Sequence, residues 1–169
     1  MNQKSLGKFV FEKRRNANLT QEELGSRIGY SPQAISKFED GLASLSILVL
    51  PTLASTLGFL LDDIVDEGKN QAITSSVTLS IPMLARQIKL TRISLKLSQA
   101  KFAKEMGLST RTIRNYEAGA SVPPISYLLD LYDNFGIVPS KIIYLNEDLK
   151  SFDKKRRRKR RKKGRAKRR

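Results

Sequence analysis

Two short runs of the sequence carry side chains that suit the recognition of nucleic-acid bases. They are QAISK, at residues 33–37, and RTIRN, at residues 111–115. Gln and Asn hydrogen-bond bidentately to adenine, while Arg and Lys bind guanine N7 and O6, and each good pair contributes about 1–3 kcal/mol of discrimination. Taken alone, either run better suits a solvated helix face. The secondary structure around the two runs therefore determines whether they recognise bases or form a solvated helix face.

The composition offers few groups for enzymatic chemistry. The chain contains no Cys, His or Trp, which excludes disulfides, thiol catalysis, zinc sites of the usual ligands and His-centred acid–base chemistry. It also lacks a Gly-rich phosphate loop and a nucleophile–base set, and its neighbouring acids, such as Asp62 and Asp63, are interpreted as surface caps. We expect no enzyme activity, no catalytic residue, no cofactor and no metal.

Positive charge is concentrated at the C-terminus. The chain has 32 Lys and Arg against 16 Asp and Glu, a formal charge of +16, and residues 154–169 contribute fourteen of the cations and no acid. Like charges repel and no apolar face is available for burial, so we expect residues 151–169 to be disordered. Such a tail binds any polyanion. It either follows the DNA backbone, which we favour, or is a solvated tail that improves solubility.

The longest uncharged span runs from residue 41 to residue 61. A span of this length is formally a membrane-helix candidate. It contains Gly, Pro and five hydroxyl residues, however, and acids rather than Lys or Arg flank it. We interpret the span as a core segment. Because Lys8 and Glu12 interrupt the apolar patch near the N-terminus, no secretory signal is expected either, and the predicted location is cytoplasmic.

The sequence repeats itself once, at an offset of 78 residues. Residues 19–41 align without a gap with residues 97–119, and seven positions are identical. Two copies of one small domain form a tandem, not a solenoid, since a stacked array needs three or more units. The predicted organisation is a first domain at 1–67, a linker at 68–80, a second domain at 81–150 and the tail at 151–169.

Each copy contains two short helices joined by a tight turn. In the first copy, Thr20 caps a helix, Gly29 supplies the positive φ that ends it, and Ser31 caps the next helix. The second copy has the equivalent residues Ser98, Gly107 and Ser109. Helix, short turn with Gly, and helix is the arrangement of a DNA-binding helix-turn-helix.

Both copies resemble the Cro/repressor-type, or Xre-type, helix-turn-helix family. The family pattern places Arg on the first helix, Gln at the start of the second, Gly at the turn and Glu-x-Gly at the end of the third. The first copy satisfies it with Arg14, Gln21, Gly29, Glu39 and Gly41, and the second repeats it at identical spacing. The resemblance implies an all-α fold of two tandem five-helix, lambda-repressor-like domains that bind double-stranded DNA.

The resemblance also implies roles for the motif residues. Arg14 with Glu39, and Arg92 with Glu117, are expected to form internal ion pairs of architectural role, the alternative for the arginines being phosphate contact. Gln21 and Gln99 are expected to contact the DNA backbone, which carries no sequence information. The third helix of each copy is expected to read the bases. In copy one, Pro32 departs from the family pattern, because it stands where a polar side chain is usual. The complete set expected at DNA is Gln21, Ser31, Gln33, Ser36, Lys37, Gln99, Ser109, Thr110, Arg111, Arg114 and Asn115.

The two copies differ in character. Copy two is more basic around its third helix, so we expect it to bind DNA more strongly. Copy one has an apolar fourth-helix region at residues 45–53. It contains more apolar residues than a single helical stripe on a small domain can bury. This apolar surplus would be buried by packing against repeat two, by packing against a second chain, or within a thicker core. We favour the second chain, in a homodimer. A monomer whose linker spans the 34–36 Å between half-sites remains the alternative.

The function expected from these features is sequence-specific transcriptional regulation, as a nucleoid-associated repressor of the kind that bacteria and their mobile elements carry. Repression comes from the family's common mode and not from the residues. Two other functions use the same basic tail. One is a low-specificity architectural or relaxosome-like DNA binder, and the other is an RNA- or ribosome-associated protein.

Overall fold

The computed structural model describes residues 2–65 and 79–143, and every regular element within these ranges is a helix. This confirms the predicted all-α class. Of the predicted linker only Leu79 and Ser80 are described, and the predicted tail lies wholly outside the described residues. In the described ranges no helix combines the length and apolar character needed to cross a membrane. The uncharged span folds instead into a 3-10 turn and a short α-helix.

The described part of repeat one contains four α-helices and two 3-10 turns. The helices are α1 (Gln3–Asn16), α2 (Gln21–Ile28), α3 (Pro32–Glu39) and α4 (Leu50–Leu57), and the 3-10 turns are Ile47–Val49 and Leu61–Ile64. The resemblance implies five helices, and the turn Leu61–Ile64 stands in the place of the fifth.

Within residues 81–143, repeat two contains five α-helices. They are α5 (Ile81–Ser94), α6 (Gln99–Glu105), α7 (Thr110–Ala118), α8 (Ser126–Phe135) and α9 (Pro139–Ile143). At the offset of 78 residues, α9 corresponds to the 3-10 turn of repeat one. Pro139 opens this helix with a preset φ, whereas repeat one has Leu61 at the same place.

Side-chain caps begin the helices where the sequence predicts them. The Thr20 hydroxyl accepts the Glu23 N–H, and the Glu23 carboxylate accepts the Thr20 N–H in return, which completes a capping box. Ser31, Ser98 and Ser109 accept equivalent bonds at the starts of α3, α6 and α7. The turns that follow α2 and α6 contain Gly29 and Gly107, with φ of 76° and 62°.

One apolar core runs through both repeats. In repeat one the predicted inward pairs Leu24 with Ile28, and Ile35 with Phe38, are buried. Members of the apolar fourth-helix region, Leu45, Ile47, Leu50 and Leu53, are at most 2% exposed within the single chain. Leu45 and Ile47 lie at the contact with repeat two, and α4 packs against α1 and α2 of repeat one, so these residues are covered within one chain.

Candidate nucleic-acid interface

Each repeat presents an intact helix-turn-helix, α2–α3 in repeat one and α6–α7 in repeat two. The apolar side of each second helix faces the core, with Ile35 and Ile113 fully buried. The opposite side is left to solvent. This division of each helix fixes which residues are free to meet a ligand.

On α3 the predicted base-reading residues lie on the outward side. Gln33 and Lys37 are exposed, while Ser36 and Pro32 are partly exposed. The Ser31 hydroxyl accepts the Ala34 N–H at 3.2 Å, so it caps α3 while its own O–H stays available. The structure therefore brings the four residues of this run that are expected at DNA, together with Pro32, to one surface.

On α7 the outward side is more cationic. Arg111 and Arg114 are exposed and make no hydrogen bond or ion pair with the described residues, and Thr110 and Asn115 are partly exposed. The Ser109 hydroxyl accepts the Thr112 N–H at 3.0 Å and lies 2.8 Å from the Thr112 hydroxyl. Two unpaired guanidinium groups on one helix face are suited to anions or to guanine edges.

Behind the first of these surfaces lies a buried polar cluster. Arg14 Nε and Nη2 donate to the two carboxylate oxygens of Glu39 at 2.6 and 2.9 Å, and Arg14 Nη1 donates to the Leu19 carbonyl at 2.7 Å. The two side chains are 5% and 4% exposed. The hydrogen bond to Glu39, opposed by burial, raises the pKa of Arg14 above its ordinary value. The pair ties α1 to the end of α3, which agrees with the architectural role.

Repeat two contains the same cluster at the equivalent residues. Arg92 Nε and Nη2 donate to Glu117 at 2.5 and 3.0 Å, and Arg92 Nη1 donates to the Leu97 carbonyl at 2.8 Å. Burial by itself would raise the pKa of Glu117, but the hydrogen bonds from Arg92 and Gln99, with the Arg92 charge, hold that pKa below its ordinary value. The carboxylate stays charged at neutral pH.

The two glutamines of the motif take part in these clusters, which the sequence did not predict. Gln21 Nε2 donates to Glu39 Oε2 at 2.9 Å, and Gln99 Nε2 donates to Glu117 Oε2 at the same distance. Each amide retains a second N–H and its carbonyl oxygen, so phosphate contact stays a prediction. The signal available in the sequence was the shared 18-residue spacing between Gln and Glu in both repeats.

Charge distinguishes α2 from α6, which are the first helices of the two motifs. The first turn of α2 carries the acids Glu22 and Glu23, whereas α6 has Ala100 and Lys101 at the equivalent positions. Lys101 and Lys104 are both exposed on α6. Because the N-terminus of a helix attracts anions and nearby carboxylates oppose them, we expect α6 to attract a phosphate more strongly than α2. The ranking of the repeats at DNA stays a prediction, since it was drawn from these same side chains.

A comparison with known protein families identifies the same two segments of the chain. The Helix-turn-helix family model matches the chain at residues 10–64 and again at residues 88–140. These two segments contain both motifs and both polar clusters. No curated protein and no solved structure matches the chain.

Proposed function

Because the chain belongs to the Xre/Cro-type helix-turn-helix family, a family of DNA-binding domains, we propose that it is a sequence-specific transcriptional regulator that acts as a repressor. In this proposal α3 and α7 enter the major groove of double-stranded DNA, and the protein acts in the cytoplasm, on the nucleoid. Promoters would be blocked by occupancy, which needs a stable specific complex and no catalytic step.

The observation that carries the proposal is the outward face of α7. Arg111 and Arg114 are exposed and have no partner among the described residues, and the inward side of their helix is fixed in the core through Ile113. A rigid helix with free guanidinium groups meets the requirement for bidentate readout of guanine, because little ordering remains to be done on binding. On α3, Gln33 and Lys37 supply the corresponding groups for repeat one.

The polar clusters support the same role. Each ties the first helix of a repeat to the end of its base-reading helix, with Gln21 or Gln99 as a third member. A base-reading helix must hold its angle to the rest of the domain, because a small misplacement breaks the directional hydrogen bonds to base edges. Buried Arg–Glu pairs of this kind fix geometry more than they add stability.

Selection of bound fragments from random-sequence DNA tests the proposal. At about 150 mM salt the contribution of counterion release falls, so that contacts to bases dominate the enrichment. A repressor selects a defined motif and, when that motif overlaps a promoter, lowers transcription in a purified system. Enrichment without a motif, with affinity that falls for all sequences together as salt rises, would indicate the low-specificity architectural function instead.

A further inference from the structure

The two repeats meet through residues that occupy the same position in each. Ile47 N–H donates to the Pro123 carbonyl at 3.1 Å, and Ile125 N–H donates to the Leu45 carbonyl at 2.8 Å. Residues 45 and 123, and 47 and 125, are equivalent at the 78-residue offset. Exchanging the repeats therefore turns one hydrogen bond into the other. Such reciprocity is the mark of an approximate two-fold axis, here passing between Ser46 and Pro124.

A second contact repeats this relationship. The Asp62 carboxylate accepts the Ser140 N–H at 2.7 Å and the Ser140 hydroxyl at 2.6 Å, and these residues are also 78 apart. They lie on equivalent elements, the 3-10 turn Leu61–Ile64 and α9, which pack against each other. Two separate pairs of equivalent residues thus place the same axis between the repeats.

Close packing holds this arrangement. Leu45, Ile47 and Ile125 are at most 2% exposed, and they join the cores of the two repeats into one cluster. The Tyr30 hydroxyl, in the turn before α3, also accepts the Ser46 N–H at 3.1 Å. This bond connects the helix-turn-helix of repeat one to the axis. In repeat two the equivalent residues are Leu108 and Pro124, and Pro124 has no N–H that needs a partner.

We propose that one chain binds one DNA site made of two unlike half-sites in inverted orientation, with a spacing that the contact between the repeats fixes. The proposal rests on the function proposed above. Since the axis exchanges α3 and α7, the two helices approach DNA in opposite senses, as those of a symmetric dimer do. Since their side chains differ, the half-sites differ in sequence. Gln33 and Lys37 read one half, and Arg111 and Arg114 read the other.

The Asp62–Ser140 pair at the axis favours contact between repeat one and repeat two over contact between two copies of the same repeat. Asp62, interpreted from the sequence as a surface cap, is instead buried, at 7% exposure, and accepts hydrogen bonds from two donors of Ser140. Two copies of repeat one would place Asp62 opposite Asp62, and two buried carboxylates without donors repel each other. Two copies of repeat two would place Ser140 opposite Ser140 without the carboxylate acceptor. Contact between repeats one and two satisfies all of these groups.

The test uses the full chain and the site selected at about 150 mM salt. Titration of labelled duplex with protein of known active concentration gives the number of chains per site. We expect one chain per site, and an insertion of half a helical turn between the half-sites to weaken binding at least tenfold. Lys37→Ala should relax base preference in one half-site alone, and Arg111→Ala should relax it in the other half alone.

Three results would overturn the inference while leaving the proposed function intact. They are a palindromic site that holds two chains, with Arg111→Ala relaxing both halves; equal affinity at all spacings of the half-sites; and a motif of a single half-site. If no base preference is found at any position, the proposed function itself fails, and the inference fails with it.

Discussion

Gln87 in repeat two occupies the position that Phe9 occupies in repeat one, and both side chains are buried, at 1% and 5% exposure. Phe9 packs edge-on against Phe59, with ring centroids 5.1 Å apart. Neither the amide oxygen nor the amide nitrogen of Gln87 has a hydrogen-bond partner among the described residues. The two repeats therefore share one backbone plan but differ in how well this core position is satisfied.

Replacing Gln87 with Leu should stabilise the chain. The substitution removes an amide that loses its water on folding without gaining a partner among the described residues, and we expect the free energy of unfolding to rise by about 1–3 kcal/mol. Denaturant unfolding measures the change. Gln99→Leu is the matched control, because its amide donates to Glu117, and it should lower stability. A loss of stability in Gln87→Leu would show that the amide is satisfied in solution.

Acid should weaken the fold through Glu117. The pKa of this carboxyl is lower in the folded chain than its ordinary value of 4.5. Its contribution to stability is therefore complete above about pH 4.5 and is lost as pH falls through the lower folded-state pKa. Denaturation midpoints at pH 7, 5 and 3 should fall less in Glu117→Gln than in the wild type. The exposed Glu105→Gln variant serves as control and should follow the wild type; identical slopes in all three would contradict the prediction.

Substituting Ala for Gly7 should destabilise repeat one. A Cβ at Gly7 would lie 2.4 Å from the carbonyl oxygens of Phe38 and Glu39, so α1 and the end of α3 must separate. We expect a cost of about 1–3 kcal/mol, as for other overpacked sites. Repeat two has Ala85 at this position, and the reverse change Ala85→Gly should cost only about 0.5–1 kcal/mol through backbone entropy. Thermal unfolding of both variants provides the comparison, and equal effects would show that the close approach relaxes freely.

Removing either guanidinium group of α7 should weaken specific DNA binding. We expect Arg111→Ala and Arg114→Ala each to cost about 1–3 kcal/mol at the selected site, roughly 5- to 150-fold in affinity. Gln33→Ala should have a smaller effect, and Lys8→Ala, an exposed change on α1, should have none. Equilibrium binding to the selected duplex measures these differences. Unchanged affinity in both arginine variants would mean that α7 does not read the groove.

Deleting residues 154–169 should weaken binding to all DNA sequences alike and leave the selected motif unchanged. The segment carries fourteen cations, and phosphate contacts position a protein without specifying its sequence. The slope of log affinity against log salt should flatten by about 0.9 for each phosphate that the shortened chain no longer neutralises. An unchanged slope would support the solvated tail, and a changed motif would show that the tail reads bases or groove shape.

Local residue patterns were sufficient to predict most of the fold. The short-range signals were a hydroxyl residue before each helix of the two helix-turn-helix motifs and a Gly in the turn between these helices. Because the sequence repeats at 78 residues, each signal occurs twice. The caps at Thr20, Ser31, Ser98 and Ser109 follow directly from them. The ion pairs Arg14–Glu39 and Arg92–Glu117 were predicted from the family resemblance, and their observed geometry agrees with that prediction. The assignment of the base-reading residues stays a prediction.

Only the tertiary structure decided what covers the apolar residues 45–53 and which groups the buried polar side chains meet. Periodicity shows that a face is apolar, but the same free energy of burial is gained against repeat two, a second chain or a thicker core. In the structure α4 packs against α1 and α2 of repeat one, whereas the Ile125 N–H that donates to the Leu45 carbonyl and the donors that Ser140 gives to Asp62 come from repeat two of the same chain. Those contacts between the repeats join residues 78 or more positions apart, where no local sequence pattern specifies the partner.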